Sequence, residues 1–331
     1  MDDVNHGWDR VGWNDWHDVA TVRARLDAGA DPDRGDCFLW RHPLHAAAEN
    51  GSADVVAELA RRVSEVDALD EGRSALWLAV YERRTDNVTA LLAAGADPRL
   101  PMMASWSPGR LALAGPDQAL FAGLDGAPSL TPTQAAAAAE ASRLTEVLAG
   151  LHTEGTGLAC VADLGAQDAI RRLEGVPAQS PWSPDDPWGD FADEEFPDQE
   201  DAVPQDTDLL VGVTDVPGGC VITQPWGFLP STPGVLERLS AGTRCYGLYQ
   251  NPKSGSQGSI IVDGTVHGWD LHPGGPPTAD DPTDLVLMSY LHRINAIGYA
   301  CAYAGLRLTD ARAVTGPADH WVRLPERDYW I

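Results

Sequence analysis

Positive charge is scarce in this sequence. The 331 residues include 23 Lys and Arg against 49 Asp and Glu, a formal net charge of −26, and Lys253 is the single lysine. The electric field of this negative charge repels nucleic acid phosphates and anionic membranes, so we expect neither as a partner. The same field attracts basic proteins. Acidity also serves solubility alone, and both interpretations stay open. The preference for Arg over Lys, with much Ala, Gly, Asp and Pro, is typical of a high-GC bacterial genome.

Long apolar runs are also missing. No stretch approaches the roughly 20 apolar residues that a transmembrane helix needs. The first ten residues, MDDVNHGWDR, contain neither the basic nor the apolar segment of a signal peptide. We therefore expect a cytoplasmic protein without membrane partners.

The sequence lacks the common catalytic and cofactor motifs. It contains no G-x-x-x-x-G-K-[ST], G-x-G-x-x-G, H-E-x-x-H or G-x-S-x-G. Cysteines are few, scattered and without a C-x-x-C pair, so we expect small buried side chains instead of a disulfide framework or zinc site. They are Cys37, Cys160, Cys220, Cys245 and Cys301.

One short segment, His267–His272, is the densest group of catalytic residue types. On a strand, its two histidines point to opposite faces, which argues against shared metal ligation. A thiol–imidazole pair of Cys220 or Cys245 with His267 would lack a visible third group to orient it. The sequence therefore predicts no catalytic residue, no metal and no cofactor, and favours a protein that is not an enzyme.

A repeat of 32 to 33 residues is the strongest positive signal. Gly-Ala-Asp-Pro occurs at Gly29–Pro32 and again at Gly95–Pro98. Between them, HPLHAAAENGSADVVAEL (His42–Leu59) and SALWLAVYERRTDNVTALL (Ser74–Leu92) align Leu, Ala and Val residues 32 apart. This pattern resembles the ankyrin repeat, in which T-P-L-H-x-A-A opens a first helix, V-V-x-x-L-L forms a second, and G-A-D-x-N closes the unit.

Several residues of the repeat have predictable structural roles. Pro43 suits the first turn of a helix, and Gly29 and Gly95 suit left-handed helix ends. His45 occupies the position of a structural hydrogen-bonding histidine in the resembled repeat, so we interpret it as structural and not as a ligand.

The repeat pattern weakens after its second clear copy. Residues Trp106–Gly115 begin like another repeat and then lose the pattern, and Thr131–Gly150 give one Ala-rich helix with Thr131 as N-cap. We predict that residues 1–150 form an incomplete first repeat, two well-formed repeats and a degenerate cap. Because about three stacked units is the minimum for a stable solenoid, the rest of the chain should pack against it.

An acidic segment without Lys or Arg follows at residues 176–208. It carries 11 acidic residues and six prolines, interleaved with Trp182, Trp188, Phe191 and Phe196. Proline and charge predict a connector without regular structure. Its rings either strap the connector onto this protein or dock it into a basic partner.

The remaining segments alternate strand and helix patterns. We predict an α+β protein, with an N-terminal ankyrin α-solenoid and a C-terminal α+β domain that has a mostly antiparallel sheet. That domain starts at residues 151–175 and continues over residues 209–331. Its predicted elements are strands Ala159–Leu164, Leu209–Val216, Cys220–Phe228 and Thr243–Asn251, a hairpin Ser259–Trp269 with an Asp263-Gly264 turn, and helices Ala166–Gly175, Ser231–Gly242 and Pro282–Gly305.

These segments resemble an uncharacterised domain family of actinobacterial proteins. The resemblance rests on Val161–Leu173, Gly219–Phe228, Val235–Arg244, Asn251 and Asp263-Gly264, and covers about 160 residues. The resembled family has no assigned activity. Small domains of this kind, like ankyrin proteins, often look like immunity proteins of bacterial toxin systems, which is an analogy only.

Two functions from different classes follow, and a third option is a structural scaffold whose acidic connector does the binding. The favoured one is a non-enzymatic protein-binding protein, in its sharper form an immunity protein that occludes a basic toxin or nuclease. The alternative is an enzyme or small-ligand sensor in the C-terminal domain, with ankyrins that recruit the target and a pocket of Trp226, Arg244, Asn251 and His267. The predicted partner contacts are Asp36, Trp40, Arg41, Asp70, Glu71, Arg73, Trp188, Phe191, Glu194 and Glu195.

Overall fold

The computed structural model describes residues 7–8, 11–34, 42–121, 129–180 and 208–331. The chain divides into two compact units. Met1–Ala138 and Pro276–Leu291 form the first, which we call the repeat unit; Ala139–Gly275 and His292–Ile331 form the second, the sheet unit. The division differs from the predicted one, because it falls before residue 150 and assigns residues 276–291 to the repeat unit.

Helices of the repeat unit follow one another with the predicted period. Helix α2 packs on α3 and α4, and α3 packs on α5. The α6 and α7 helices are short, in agreement with the predicted loss of the repeat pattern. The helices are α1 (Val19–Asp27), α2 (Pro43–Asn50), α3 (Ala53–Ala60), α4 (Ala75–Tyr81), α5 (Thr85–Ala93), α6 (Pro108–Ala112) and α7 (Gln118–Phe121), with 3-10 turns at Trp13–His17 and Met103–Ser105.

The positions that align 32 residues apart form the core between these helices. Each is buried, which follows from the small or branched apolar side chains that face the neighbouring repeat. They are Leu44, Ala47, Val56 and Leu59 in one repeat and Leu76, Ala79, Val88 and Leu91 in the next. Gly29 and Gly95 adopt φ of 98° and 92°, which confirms the predicted left-handed helix ends.

Helix α8 (Pro132–Val147) has the predicted cap. The Thr131 Oγ1 accepts a hydrogen bond from the Gln134 backbone N–H at 3.2 Å, and the Gln134 side chain accepts one from the Thr131 N–H at 3.0 Å. This reciprocal pair satisfies two amides that have no partner inside a helix. The border between the two units falls within α8.

The described part of the sheet unit forms one sheet of eight strands, in the order β2-β8-β3-β4-β1-β5-β6-β7. Every neighbouring pair is antiparallel, which confirms the predicted sheet type. Asp263 and Gly264 have φ of 47° and 72°, as a two-residue hairpin turn requires. The strands are β1 (Gly157–Ala162), β2 (Val176–Pro177), β3 (Leu210–Val216), β4 (Gly219–Gln224), β5 (Arg244–Asn251), β6 (Gly255–Val262), β7 (Thr265–Leu271) and β8 (His320–Arg323).

Helices cover both faces of this sheet. Helices α9 (Ala166–Leu173) and α10 (Pro233–Leu239) build the main core with side chains of β1, β3 and β4. Cys245 belongs to that core, whereas the next residue, Tyr246, contacts Tyr299 of the helix on the opposite face. Successive side chains of a strand alternate between faces, so β5 is buried on both sides. The short helix α13 (Arg312–Thr315) packs on β3 and β4.

The predicted continuous helix Pro282–Gly305 is wrong, because the chain forms two helices there. They are α11 (Thr283–Leu291), in the repeat unit, and α12 (Ala296–Ala304), in the sheet unit. The Asn295 side chain accepts a backbone hydrogen bond from the first turn of α12 at 2.8 Å, so it starts a new helix as an N-cap. Ile294, which lies at the break between the two helices, is 74% exposed. No helix in the described ranges has the length and hydrophobicity needed to cross a bilayer.

Candidate functional site

A tight hairpin between α3 and α4 forms an exposed tip in the repeat unit. The backbone N–H groups of Asp70 and Arg73 each donate to the other residue's carbonyl oxygen at 2.9 Å. Between them, Glu71 and Gly72 have φ of 49° and 76°, the left-handed values of a type I′ turn. We call Leu69–Arg73 the finger.

The sequence predicted three partner contacts in the finger, and the structure exposes one of them. Glu71 is exposed, whereas Asp70 is buried and the Arg73 side chain is largely covered. Leu69 is 50% exposed, although its size and hydrophobicity favour burial. Sequence reasoning missed Leu69; its signal was an apolar residue directly before a polar turn. The Arg73 guanidinium lies 2.9 Å from the Glu71 carboxylate, so the covered arginine pairs with an exposed glutamate.

His45 holds the base of the finger. Its Nε2 lies 2.9 Å from the Arg73 carbonyl oxygen and donates a hydrogen bond to it. The ring is buried, and desolvation lowers the pKa of His45 from 6.5 to about 4, so the imidazole is neutral at pH 7. This confirms the structural role predicted for His45. The tip is therefore exposed on a base that is fixed by a buried hydrogen bond.

A second finger, Met102–Trp106, follows about 33 residues later. The Met102 N–H donates to the Trp106 carbonyl oxygen at 2.7 Å, and Ala104 and Ser105 have φ of 46° and 65°. This tip is covered by α11: the Trp106 indole N–H donates to the Thr283 carbonyl oxygen at 2.9 Å, and the Thr283 hydroxyl lies 3.4 Å from the Ala104 carbonyl oxygen. Helix α11 of the same chain thus covers the surface that the second finger would offer to a partner.

The other end of α11 is held by the repeats as well. The Arg83 guanidinium donates to the carbonyl oxygens of Tyr290 and Leu291 at 3.1 and 3.0 Å, two groups that a helix end leaves unpaired. The Tyr290 ring lies 6.0 Å from that of Tyr81. These contacts explain why residues 276–291 belong to the repeat unit. Helix α11 packs at the end of the repeats where α6 and α7 are short.

Each of the four residues of the predicted pocket has a different neighbour. Trp226 packs against the backbone of Gly155. The Arg244 side chain donates to the Tyr303 carbonyl oxygen at 3.1 Å, and the Asn251 side chain accepts from the Lys253 N–H at 2.9 Å. The fourth, His267, is an exposed residue of β7.

The sheet unit contains a cavity of about 570 Å³, within the usual size of small-molecule sites. It is bounded by the last turn of α8 and the residues that follow it, the β5–β6 turn, the loop after β7, and the turn before α12 with the first residues of that helix. None of the four residues of the predicted pocket lines it. Its polar lining consists of Thr145, Thr153, Gln250, Ser254, Ser256, His272, Arg293 and Asn295.

The four described cysteines are buried and free, as predicted. Burial raises the pKa of Cys220 and of Cys245 to about 12, so both thiols stay protonated at neutral pH. Since His267 is exposed, a thiol–imidazole pair has no support here. Among the described residues, no group of three or more His, Cys, Asp or Glu side chains is placed to hold a metal ion.

Several predicted contacts lie outside the described residues. They are Asp36, Trp40 and Arg41 before α2, and Trp188, Phe191, Glu194 and Glu195 in the acidic connector, together with Cys37 and the aromatic residues Trp182 and Phe196.

Residues 16–101 match a family model described as ankyrin repeats, in three copies. Over 87 residues, the chain is 38% identical to the transient receptor potential channel pyrexia of Drosophila melanogaster, an alignment that covers 26% of this chain. The chain spans 9% of the length of that curated relative. The N-terminal part therefore consists of ankyrin repeats, which indicate a role in protein–protein interaction.

Proposed function

We propose that this chain is a binding protein that holds a basic protein partner through the finger of its ankyrin repeats. The carrying observation is that the Leu69 and Glu71 side chains are exposed at the tip, on a base that His45 fixes. Burial of the apolar Leu69 side chain by a partner would contribute binding free energy. The neighbouring Glu71 carboxylate would favour a cationic group on that partner. Of the two fingers among the described residues, the second is covered by α11, so the Leu69–Arg73 finger is the one left open to a partner.

The net charge of −26 supports a basic partner. A long-range field of this sign raises the association rate of a cationic protein more than its final affinity. The sharper form of the proposal is an immunity protein that occludes the active-site cleft of a basic toxin or nuclease. Cytoplasmic location and the uncharacterised actinobacterial domain family remain parts of this proposal.

The test begins with affinity purification of the full chain from its native host at low and high salt. A partner is then assayed against Leu69→Ser and Glu71→Arg. Matched controls are Leu120→Ser and Glu146→Arg, since both residues are exposed and lie outside the finger. We expect the finger variants to weaken binding by at least about tenfold and the controls to leave it unchanged. Equal binding by all four variants would contradict the finger as the contact.

The immunity role has a separate test. Cells that lack the gene are exposed to each secreted effector encoded beside it. We expect one effector to kill them, and the wild-type chain to protect better than Leu69→Ser. Full resistance of the deletion strain to every neighbouring effector would refute immunity while leaving partner binding intact.

A second candidate function is a small-ligand sensor or an enzyme, with its site in the sheet unit and the repeats as recruiting module. The observation that favours it is the cavity of about 570 Å³. The predicted pocket residues Trp226, Arg244, Asn251 and His267 line no part of it, so the ligand contacts would come from other residues.

A further inference from the structure

A cluster of aromatic side chains lies exposed on the sheet unit. The Phe228 and Trp330 side chains are 46% and 56% exposed, and their ring centroids are 5.5 Å apart. The Phe228 ring also meets the half-buried Tyr249 ring edge-on, with centroids 6.0 Å apart. Contiguous exposed apolar side chains mark interaction sites, whereas single ones are common on any surface. We call Phe228, Tyr249 and Trp330 the aromatic surface.

The fold fixes the backbone that carries these rings. Phe228 follows β4, Tyr249 belongs to β5, and Trp330 follows β8. Gly157 of β1 pairs with Tyr249, and its missing side chain lets the Phe228 backbone approach, since a Cβ there would lie 3.0 Å from the Phe228 Cα. Next to Trp330, the buried Tyr329 has a carbonyl oxygen that accepts a hydrogen bond from an α10 backbone N–H at 2.9 Å. The surface is therefore in place before any partner arrives.

Negative charge accompanies the aromatic surface. The Asp328 carboxylate accepts a hydrogen bond from the Trp330 backbone N–H at 2.8 Å, and both Asp328 and Glu326 are exposed. Between them, Arg327 donates to the two carboxylate oxygens of Glu174 at 3.2 and 3.0 Å, so its positive charge is balanced. The segment that leads to Trp330 thus presents carboxylates beside exposed rings.

A guanidinium is the group that suits rings and carboxylates together. It stacks on aromatic faces and pairs with carboxylates through its planar fork. A carboxylate accepts more than one hydrogen bond, so Asp328 has room for a guanidinium besides the Trp330 N–H. The repeat unit contains the same kind of ring contact, because the Arg110 guanidinium lies 4.3 Å from the centroid of the Trp106 ring.

We propose that the aromatic surface binds arginine side chains of a basic protein. The proposal rests on the proposed function for its class of partner, and it adds a contact surface in the sheet unit. The net charge of −26 favours the approach of such a protein, and the rings give its arginines a specific place to bind.

The first experiment measures binding of a fluorescent alternating arginine–glycine peptide to the full chain by anisotropy. Salt at about 0.15 M screens the long-range attraction of the chain's net charge. The variant Phe228→Ser/Trp330→Ser is compared with Trp269→Ser, whose side chain is 46% exposed on β7 outside the aromatic surface. We expect the double variant to weaken binding by at least about fivefold and the control to leave it unchanged. Equal binding by both would overturn the proposal, because charge alone would then hold the peptide.

A neutral peptide tests the need for the cation. Citrulline in place of each arginine keeps the planar side chain and removes its charge. We expect the citrulline peptide to bind the wild type at least about tenfold more weakly. Equal affinity of the two peptides would show that the surface does not recognise a guanidinium.

Indole N–H resonances of the wild-type chain provide a readout in NMR that does not depend on the folding of the double variant. The Trp330 resonance, assigned from Trp330→Phe, should shift when the arginine peptide is added, and the Trp269 resonance should stay in place. A stationary Trp330 resonance would refute binding at this surface. Failure here leaves the finger assays intact, because those compare finger variants against a protein partner; failure of the finger variants likewise leaves the peptide result standing.

Discussion

Mild acid should lower the free energy of unfolding of the protein, because it protonates His45 at the base of the finger. The ring is buried, donates to the Arg73 carbonyl oxygen, and has its pKa lowered by desolvation from 6.5 to about 4. A folded-state pKa below the unfolded-state value means that protonation favours the unfolded chain. The stability due to the neutral ring is therefore complete above about pH 6.5, and it is lost as the pH falls from 6.5 toward 4.

The size of this effect follows from the two pKa values. Each pKa unit corresponds to about 1.4 kcal/mol, so the full loss approaches about 3 kcal/mol near pH 4. Between pH 7 and pH 5 the same relation gives about 2 kcal/mol. Because whole domains are stable by only about 5–15 kcal/mol, a loss of that size is measurable.

The assay is urea unfolding at pH 7 and pH 5, compared for the wild type and His45→Gln. Glutamine retains a donor for the Arg73 carbonyl oxygen but cannot be protonated. We expect the wild type to lose about 2 kcal/mol more than His45→Gln between the two pH values. An exposed histidine, His152, provides the control, and His152→Gln should behave like the wild type. Equal losses for the wild type and His45→Gln would refute the reasoning.

Three further substitutions test the packing of the helices. Asn87→Ala should lower the free energy of unfolding by about 1–3 kcal/mol in urea, because the buried Asn87 amide donates to three carbonyl oxygens at the end of α2; an unchanged midpoint would contradict this. Gly115→Ala places a Cβ in steric clash with the Tyr290 hydroxyl and should cost about 1–3 kcal/mol, seen as a lower Tm. Thr131→Ala removes the cap of α8 and should cost about 1 kcal/mol, whereas Thr131→Ser should restore it.

The repeats could be predicted because each one is encoded locally. Residues 32 positions apart, such as Leu44 and Leu76, have the same environment in successive helix pairs, so the sequence repeats where the structure does. The strands and turns could be predicted for the same reason, since neighbouring residues encode them. The Asp263-Gly264 hairpin turn is an example. The exposed Leu69 was missed because the repeat pattern identifies the buried positions, and the predicted contacts at the tip were the charged residues Asp70, Glu71 and Arg73.

The position of α11 could not be predicted from local patterns. Trp106 and Thr283 are 177 residues apart, and neither has a spacing that relates it to the other. Periodicity described a single helix across Pro282–Gly305, because apolar residues continue on both sides of the break. The break depends on Asn295, whose capping hydrogen bond forms only when the turn before it is in place. The cavity was missed for the same reason, since its lining comes from four separate segments.

The net charge of the chain acts over a longer distance than the contacts of the finger. A net charge of −26 draws a basic protein toward the finger, and salt screens this attraction. Added salt should therefore slow the association of a basic partner.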